Sequence, residues 1–158
     1  GEGTTFHFCL TFDRVQSEPE KATEAPQSDG RGIKNYHVLL AEDEKVNQIA
    51  VRRLLEKYGH RVTVAENGKR ALEALNDDSF DIIFMDVQMP VMDGVAATRA
   101  IRRGDAGMKN ASIPIVALTA YAMVGDRERF LEAGMDNYLT KPVEIDELLE
   151  LLGRLSGT

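Results

Sequence analysis

The sequence predicts a single α/β domain built on a five-stranded parallel sheet with helices on both faces. Three observations predict it. Five short apolar runs recur after Tyr36, stretches with helical spacing separate them, and the runs are apolar nearly throughout rather than alternating. Strands of that kind are buried on both sides, and a parallel sheet covered by crossover helices buries them so. Length agrees, because 158 residues amount to one domain plus an appendage.

The elements follow in order. Residues 37–41 (HVLLA) form the first strand. Ile49, Leu54, Leu55 and Tyr58 then fall near i, i+4 spacing, and Gly59 stops that helix. The second strand is 61–65 (RVTVA), and Asn67-Gly68 opens a helix with Ala71, Leu72, Ala74 and Leu75 on one stripe. The third strand, 81–85 (DIIFM), leads through Asp93-Gly94, a turn and helix start, into a helix ended by Gly104. The fourth strand is 113–118, and Phe130 and Leu131 lie in a helix stopped by Gly134. The fifth strand is 137–139. A last helix carries Ile145, Leu148, Leu149, Leu152 and Leu155 on one face, with acids at its start where the helix dipole favours them. Right-handed crossovers leave few topologies, and a flavodoxin-like sheet in the order 2-1-3-4-5 with five helices fits best.

The first 35 residues are unlike the rest. Phe6, Phe8, Leu10 and Phe12 alternate with Thr5, His7, Cys9 and Thr11, a strand pattern that needs a partner. Residues 14–35 are rich in proline, glycine, serine and charge, which is linker composition. The organisation read from this is a strand-bearing segment at 1–13, a linker at 14–35 and one domain at 36–158.

Composition excludes several classes. A net charge of -7 offers no basic field for nucleic acid or an anionic membrane. The 43% hydrophobic and 28% charged content excludes disorder throughout. Cys9, the one cysteine, cannot form an internal disulfide, so a reducing, cytoplasmic setting fits best. No apolar run approaches the roughly 20 residues that span a bilayer, and no signal peptide is evident.

Ligands bind beyond the carboxyl ends of such strands. Strand one ends in Glu42-Asp43-Glu44, strand three in Asp86, strand four in Thr119 and strand five in Thr140-Lys141-Pro142. With strands one and three as neighbours, Glu42, Asp43 and Asp86 converge. Three carboxylates repel and need a cation; the donors are all oxygen, so Mg²⁺ fits better than zinc. Lys141 and Thr119 add a charge and a hydroxyl to the same cleft. Together these groups suit a phosphoryl group, with Asp86 as the nucleophile that takes it as an acyl phosphate.

From about Tyr36 to Leu155 the motifs VLLAEDE, DIIFMDVQMPVMDG, IVALTAYA and YLTKP stand in order at strand ends. Their joint occurrence resembles the response-regulator receiver domain, the phosphoacceptor module of two-component signalling. The resemblance implies that Asp86 is the phosphorylation site. It implies Mg²⁺ held by Asp43, Asp86 and the main-chain carbonyl of Gln88, with Glu42 binding directly or through water. Thr119 and Lys141 contact the phosphoryl group, and Thr119 with Tyr138 switches the face of the fourth helix, fifth strand and fifth helix. The Lys141-Pro142 peptide is expected to be cis. Residues 1–8 (GEGTTFHF) are similar to the last glycine motif and final strand of a histidine-kinase ATP-binding domain. A kinase tail, a linker and a receiver imply the end of a hybrid sensor histidine kinase, whose phosphohistidine, or that of a histidine phosphotransfer protein, would be the donor. The chain would then be a phosphoacceptor that assists its own transfer, in a parent that can be membrane-anchored. With no output domain following the receiver in this sequence, a phosphorelay to a separate histidine phosphotransfer protein, or regulation of the parent kinase, is expected. A homodimer through the N-terminal strand or through the switching face is a further expectation.

Other site chemistries fit these residues less well. A flavin or nucleotide site needs a Gly/Ser/Thr-rich loop after strand one, where Glu42-Asp43-Glu44 repels phosphate. An Mg²⁺-dependent phosphatase commonly has a second aspartate two residues beyond its nucleophile, where Gln88 stands. An interaction-only receiver is disfavoured because Glu42, Asp43, Asp86, Thr119 and Lys141 are all present, and phosphorylation separates the two readings. Tyr138 reads also as a half-buried strand tyrosine, and Tyr121 as a loop residue able to shield an acyl phosphate. His7, His37 and His60 fall on a strand, a strand start and a turn, none on a long helix as a phosphodonor histidine would.

Overall fold

The computed structural model describes residues 34–120 and 126–156. The N-terminal strand, nearly all of the linker and Tyr121 lie outside them. The described elements are β1 (His37–Ala41), α1 (Lys45–Lys57), β2 (Arg61–Ala65), α2 (Gly68–Asp77), β3 (Ile82–Asp86), α3 (Gly94–Arg103), β4 (Ile115–Thr119), α4 (Asp126–Ala133), β5 (Asn137–Thr140) and α5 (Ile145–Ser156). The strands form one parallel sheet in the order β2-β1-β3-β4-β5, as the sequence predicts.

Period-two alternation divides the apolar strand residues between two cores. Leu39, Ile83, Met85, Ile115 and Ala117 face Leu75 of α2, Ile101 of α3 and Phe130 of α4. Val38, Leu40, Ile82, Phe84, Val116 and Leu118 face Leu55 of α1 and Leu148 and Leu152 of α5. Burial of each such side chain contributes about 1.5–3 kcal/mol before chain entropy is set against it. Local signals set the helix starts: the Asn67 carboxamide accepts the Arg70 amide at 2.9 Å, and the Asp93 carboxylate accepts that of Ala96 at 2.7 Å.

The boundaries of three strands differ from the apolar runs. β3 runs on to Asp86 because that residue still pairs with Leu118. β4 starts at Ile115 because Pro114 has no N–H to give a ladder, although its carbonyl accepts from Ile83 at 2.9 Å. β5 gains Thr140, which pairs with Thr119. A 3-10 turn at Met108–Asn110 was not foreseen; its buried Asn110 donates to the carbonyls of Leu75 and Ala106 at 2.8 and 2.6 Å.

One arginine ties the amino ends of β4 and β5. Arg102 donates from Nε to the Gly134 carbonyl at 2.7 Å, and from one terminal nitrogen to the carbonyls of Ala111 and Ile113 at 2.8 Å. Its other terminal nitrogen meets Asp136 at 2.8 Å. Gly134 is required there: its φ is +97°, and a Cβ would sit 2.8 Å from Arg102 Cγ.

His60 is more than a turn residue. It is 3% exposed, its Nδ1 accepts the Tyr36 amide at 3.2 Å, and its Nε2 has no partner. Burial lowers its pKa from the usual 6.5. The folded state therefore binds this proton less readily than the unfolded one. Its contribution to stability is whole above the unfolded pKa and is lost as pH falls below it. Urea midpoints taken between about pH 7.5 and pH 5.5 are expected to fall, with a shallower fall in His60→Gln.

Val91 is the one described non-glycine residue with positive φ, at 68°. The Met92 amide closes back on the Pro90 carbonyl at 2.7 Å, a tight γ-turn around a β-branched, exposed side chain. Val91→Asn is expected to raise stability by about 1 kcal/mol, measured by denaturant titration, because asparagine tolerates this region.

Candidate functional site

Register builds the site. β1 and β3 pair Ala41 with Met85, so the next residues, Glu42 and Asp86, leave the sheet side by side. Asp86 pairs with Leu118, one residue before Thr119, and the Lys141 amide donates to the Thr119 carbonyl at 2.8 Å. Glu42, Asp86, Thr119 and Lys141 thus gather at one sheet edge.

The Lys141 ammonium bridges the two buried acids, 2.6 Å from Asp86 Oδ2 and 2.7 Å from Glu42 Oε2. Glu42 is 1% exposed and Asp86 4%. The other Asp86 oxygen accepts the Gln88 amide at 3.0 Å. Glu42 Oε1 accepts the Glu44 amide at 3.2 Å and the Asn47 carboxamide at 3.3 Å, and Gln48 donates to the Glu42 carbonyl at 2.6 Å. Asn47 and Gln48 escaped the sequence reading, since a polar pair on the first turns of a helix reads as ordinary solvated surface. Gly94 has a steric role beyond its turn: a Cβ there would lie 2.1 Å from the Asp86 carbonyl.

Burial raises the Asp86 pKa above the usual carboxylate value and the charge of Glu42 adds to this, while Lys141 and the Gln88 amide oppose it. For Lys141, burial alone would lower the pKa, but its hydrogen bonds to Asp86 and Glu42 prevail and raise it. The lysine is therefore held charged. On Asp86 burial outweighs the ion pair, and the pKa stays raised.

Asp43 is exposed, and its side chain has no hydrogen bond or ion pair among the described residues. Carboxylate oxygens of Glu42, Asp43 and Asp86 lie within 4.8 Å of one another, which fits a hard divalent cation bound through oxygen. Gln88 lines the open cleft beside Asp43. Thr119 is buried beside Asp86 in the fold, whereas Tyr138 is half-buried on β5, its ring 6.5 Å from that of Phe130.

Comparison with known proteins agrees with this geometry. Residues 38–153 match the response regulator receiver domain, and the chain belongs to that family. It is 38% identical over 150 residues to the sensor histidine kinase GacS of Pseudomonas protegens, covering 94% of this chain and 15% of that protein. The chain thus spans a small part of that curated relative. The solved receiver domain of a Pseudomonas aeruginosa sensor histidine kinase, with a magnesium ion coordinated in its active-site cleft, is 42% identical. That match has a TM-score of 0.71 and covers 79% of this chain and all of the other. A chain from the co-crystal of the Saccharomyces cerevisiae histidine phosphotransfer signalling protein with the receiver domain of its downstream response regulator is 33% identical, with a TM-score of 0.67. There the coverage is 75% of this chain and 86% of the other. No helix among the described residues is long and apolar enough to cross a membrane.

Mg²⁺ at about 100 times its dissociation constant is expected to stabilise the wild type by about 2.7 kcal/mol. Asp43→Asn should lose most of that gain in thermal melts, while its melting point without metal stays close to wild type.

Proposed function

We propose that this chain accepts a phosphoryl group on Asp86 within a phosphorelay, as the receiver of a hybrid sensor histidine kinase. The observation that carries the reading is the Lys141 ammonium held between the buried carboxylates of Asp86 and Glu42 at 2.6 and 2.7 Å. An oxygen of Asp86 attacks phosphorus and a P–O bond forms as the P–N bond of the donor phosphohistidine breaks. The imidazole leaves with that electron pair. Lys141 offsets charge on a phosphoryl oxygen, and the Thr119 hydroxyl contacts another. Asp43, Asp86 and the Gln88 carbonyl would hold Mg²⁺, with Glu42 alongside; bound there, the ion supplies positive charge to the carboxylate and to the transferring group.

The product replaces the single carboxylate charge of Asp86 with a phosphoryl group carrying about -1.5 to -2, a net gain of at most about one negative charge at an acidic edge. Thr119 and Lys141 are drawn to the new oxygens, and the strain passes through Tyr138 to the face of α4, β5 and α5. Support for a protein donor comes from α1, whose first turns follow the acidic loop and expose Val46 and Ile49 by 70% and 51%.

Intact mass after incubation with acetyl phosphate and Mg²⁺ tests the reading. One phosphoryl adduct is expected, absent with EDTA and in Asp86→Asn. Beryllofluoride binding, which depends on neither donor nor lifetime, is the second arm. Absence of both adduct and beryllofluoride binding would leave an interaction-only domain.

A further inference from the structure

The acidic edge that suits a metal presents a difficulty for its substrate. A phosphoryl donor carries negative charge, and Asp43, with a carboxylate oxygen within 4.8 Å of one of Asp86, meets it there. Lys141 gives little help at the entrance, because it lies at the floor of the site with its side chain 18% exposed and its charge divided between two carboxylates. The cleft beside the site, about 490 Å³ in volume, is lined by Asp43, Gln88 and Asp93 on one side and by Arg129 of α4. Arg129 is the single basic residue among those lining it.

Arg129 is exposed, while its neighbour Phe130 is 4% exposed and seats α4 in the core. The helix is therefore fixed and the guanidinium left available. Among the described residues Arg129 has no hydrogen bond or ion pair, even with two carboxylates lining the same cleft. Its five donors in a planar fork match phosphoryl oxygens in a way that a bare point charge does not. The cleft is also wide enough for a small phosphorylated molecule.

We propose that Arg129 is the substrate-contact residue at the entrance of the site, binding the phosphoryl oxygens of the donor before transfer to Asp86. The inference rests on the phosphoacceptor reading and adds to it the group that receives the substrate. The chemistry recognised is a phosphoryl group on a good leaving group, shared by acyl phosphates, phosphoramidates and phosphohistidine.

The test uses the full chain with saturating Mg²⁺ and two donors in parallel, acetyl phosphate and phosphoramidate. Initial rates of Asp86 phosphorylation are compared for wild type, Arg129→Ala, Arg129→Lys and Arg127→Ala. Arg127 is an exposed arginine on the same helix that does not line the cleft, so its removal changes net charge equally. Arg129→Ala is expected to slow phosphorylation about tenfold at low salt, in the range of electrostatic steering. The gap should narrow as salt is added, Arg129→Lys should recover part of the rate, and Arg127→Ala should stay within about twofold of wild type. Beryllofluoride affinity should be the same in Arg129→Ala as in wild type, since that ion sits on Asp86 and needs no escort.

Equal rates for Arg129→Ala and Arg127→Ala would overturn the proposal while leaving the phosphoacceptor reading intact. Loss of beryllofluoride binding in Arg129→Ala would also overturn it, because the residue would then support the pocket itself. A wild type that binds beryllofluoride but accepts from neither donor counts against it in the same way. A wild type that does neither overturns both readings.

Discussion

Two carboxylates buried at the ends of neighbouring parallel strands would repel each other strongly if nothing stood between them. Lys141 stands between Glu42 and Asp86, and the local structure is arranged around that fact. Glu42 is pinned by the Glu44 amide and Asn47, Asp86 by the Gln88 amide, and Lys141 by its own amide on Thr119. Burial still dominates at Asp86. The same bridge that lets both acids share the buried edge therefore does not cancel the effect of burial on Asp86. A site so poised gains from a divalent ion and from a phosphoryl group that engages the lysine.

Much of the fold was legible because one rule repeats. Apolar runs at 37–41, 61–65 and 81–85 are strands buried on both faces, and their order follows once crossovers are right-handed. The candidate site was legible because the strand-end rule reads only a handful of positions, and Glu42, Asp43, Asp86, Thr119 and Lys141 all stand at them.

What the sequence concealed depends on contacts between distant segments. Nothing in the text NQ after EDEKV says that Asn47 and Gln48 hold the glutamate behind them. His60 looked like a turn residue because its burial comes from packing with Tyr36, which lies far from it in sequence. Val91 has no turn-forming residue type, yet the hydrogen bond from Met92 to Pro90 forces its backbone into the left-handed region. Arg102 reads as one charge among several on α3, and only the folded chain brings three carbonyls and a carboxylate within its reach.

The position of the Arg102 clamp has a mechanical consequence. It fastens the segments that lead into β4 and β5, at the end of the sheet opposite Thr119 and Lys141. The two strands resemble beams built into a wall at one end and sprung at the other, where Lys141 holds Asp86 and Glu42. A displacement imposed at the sprung end bends them about the fixed support, so it is greatest at the carboxyl edge and smallest beside the arginine. Motion at the site is then shared with the helices that follow these strands, α4 and α5, before it reaches those that precede them.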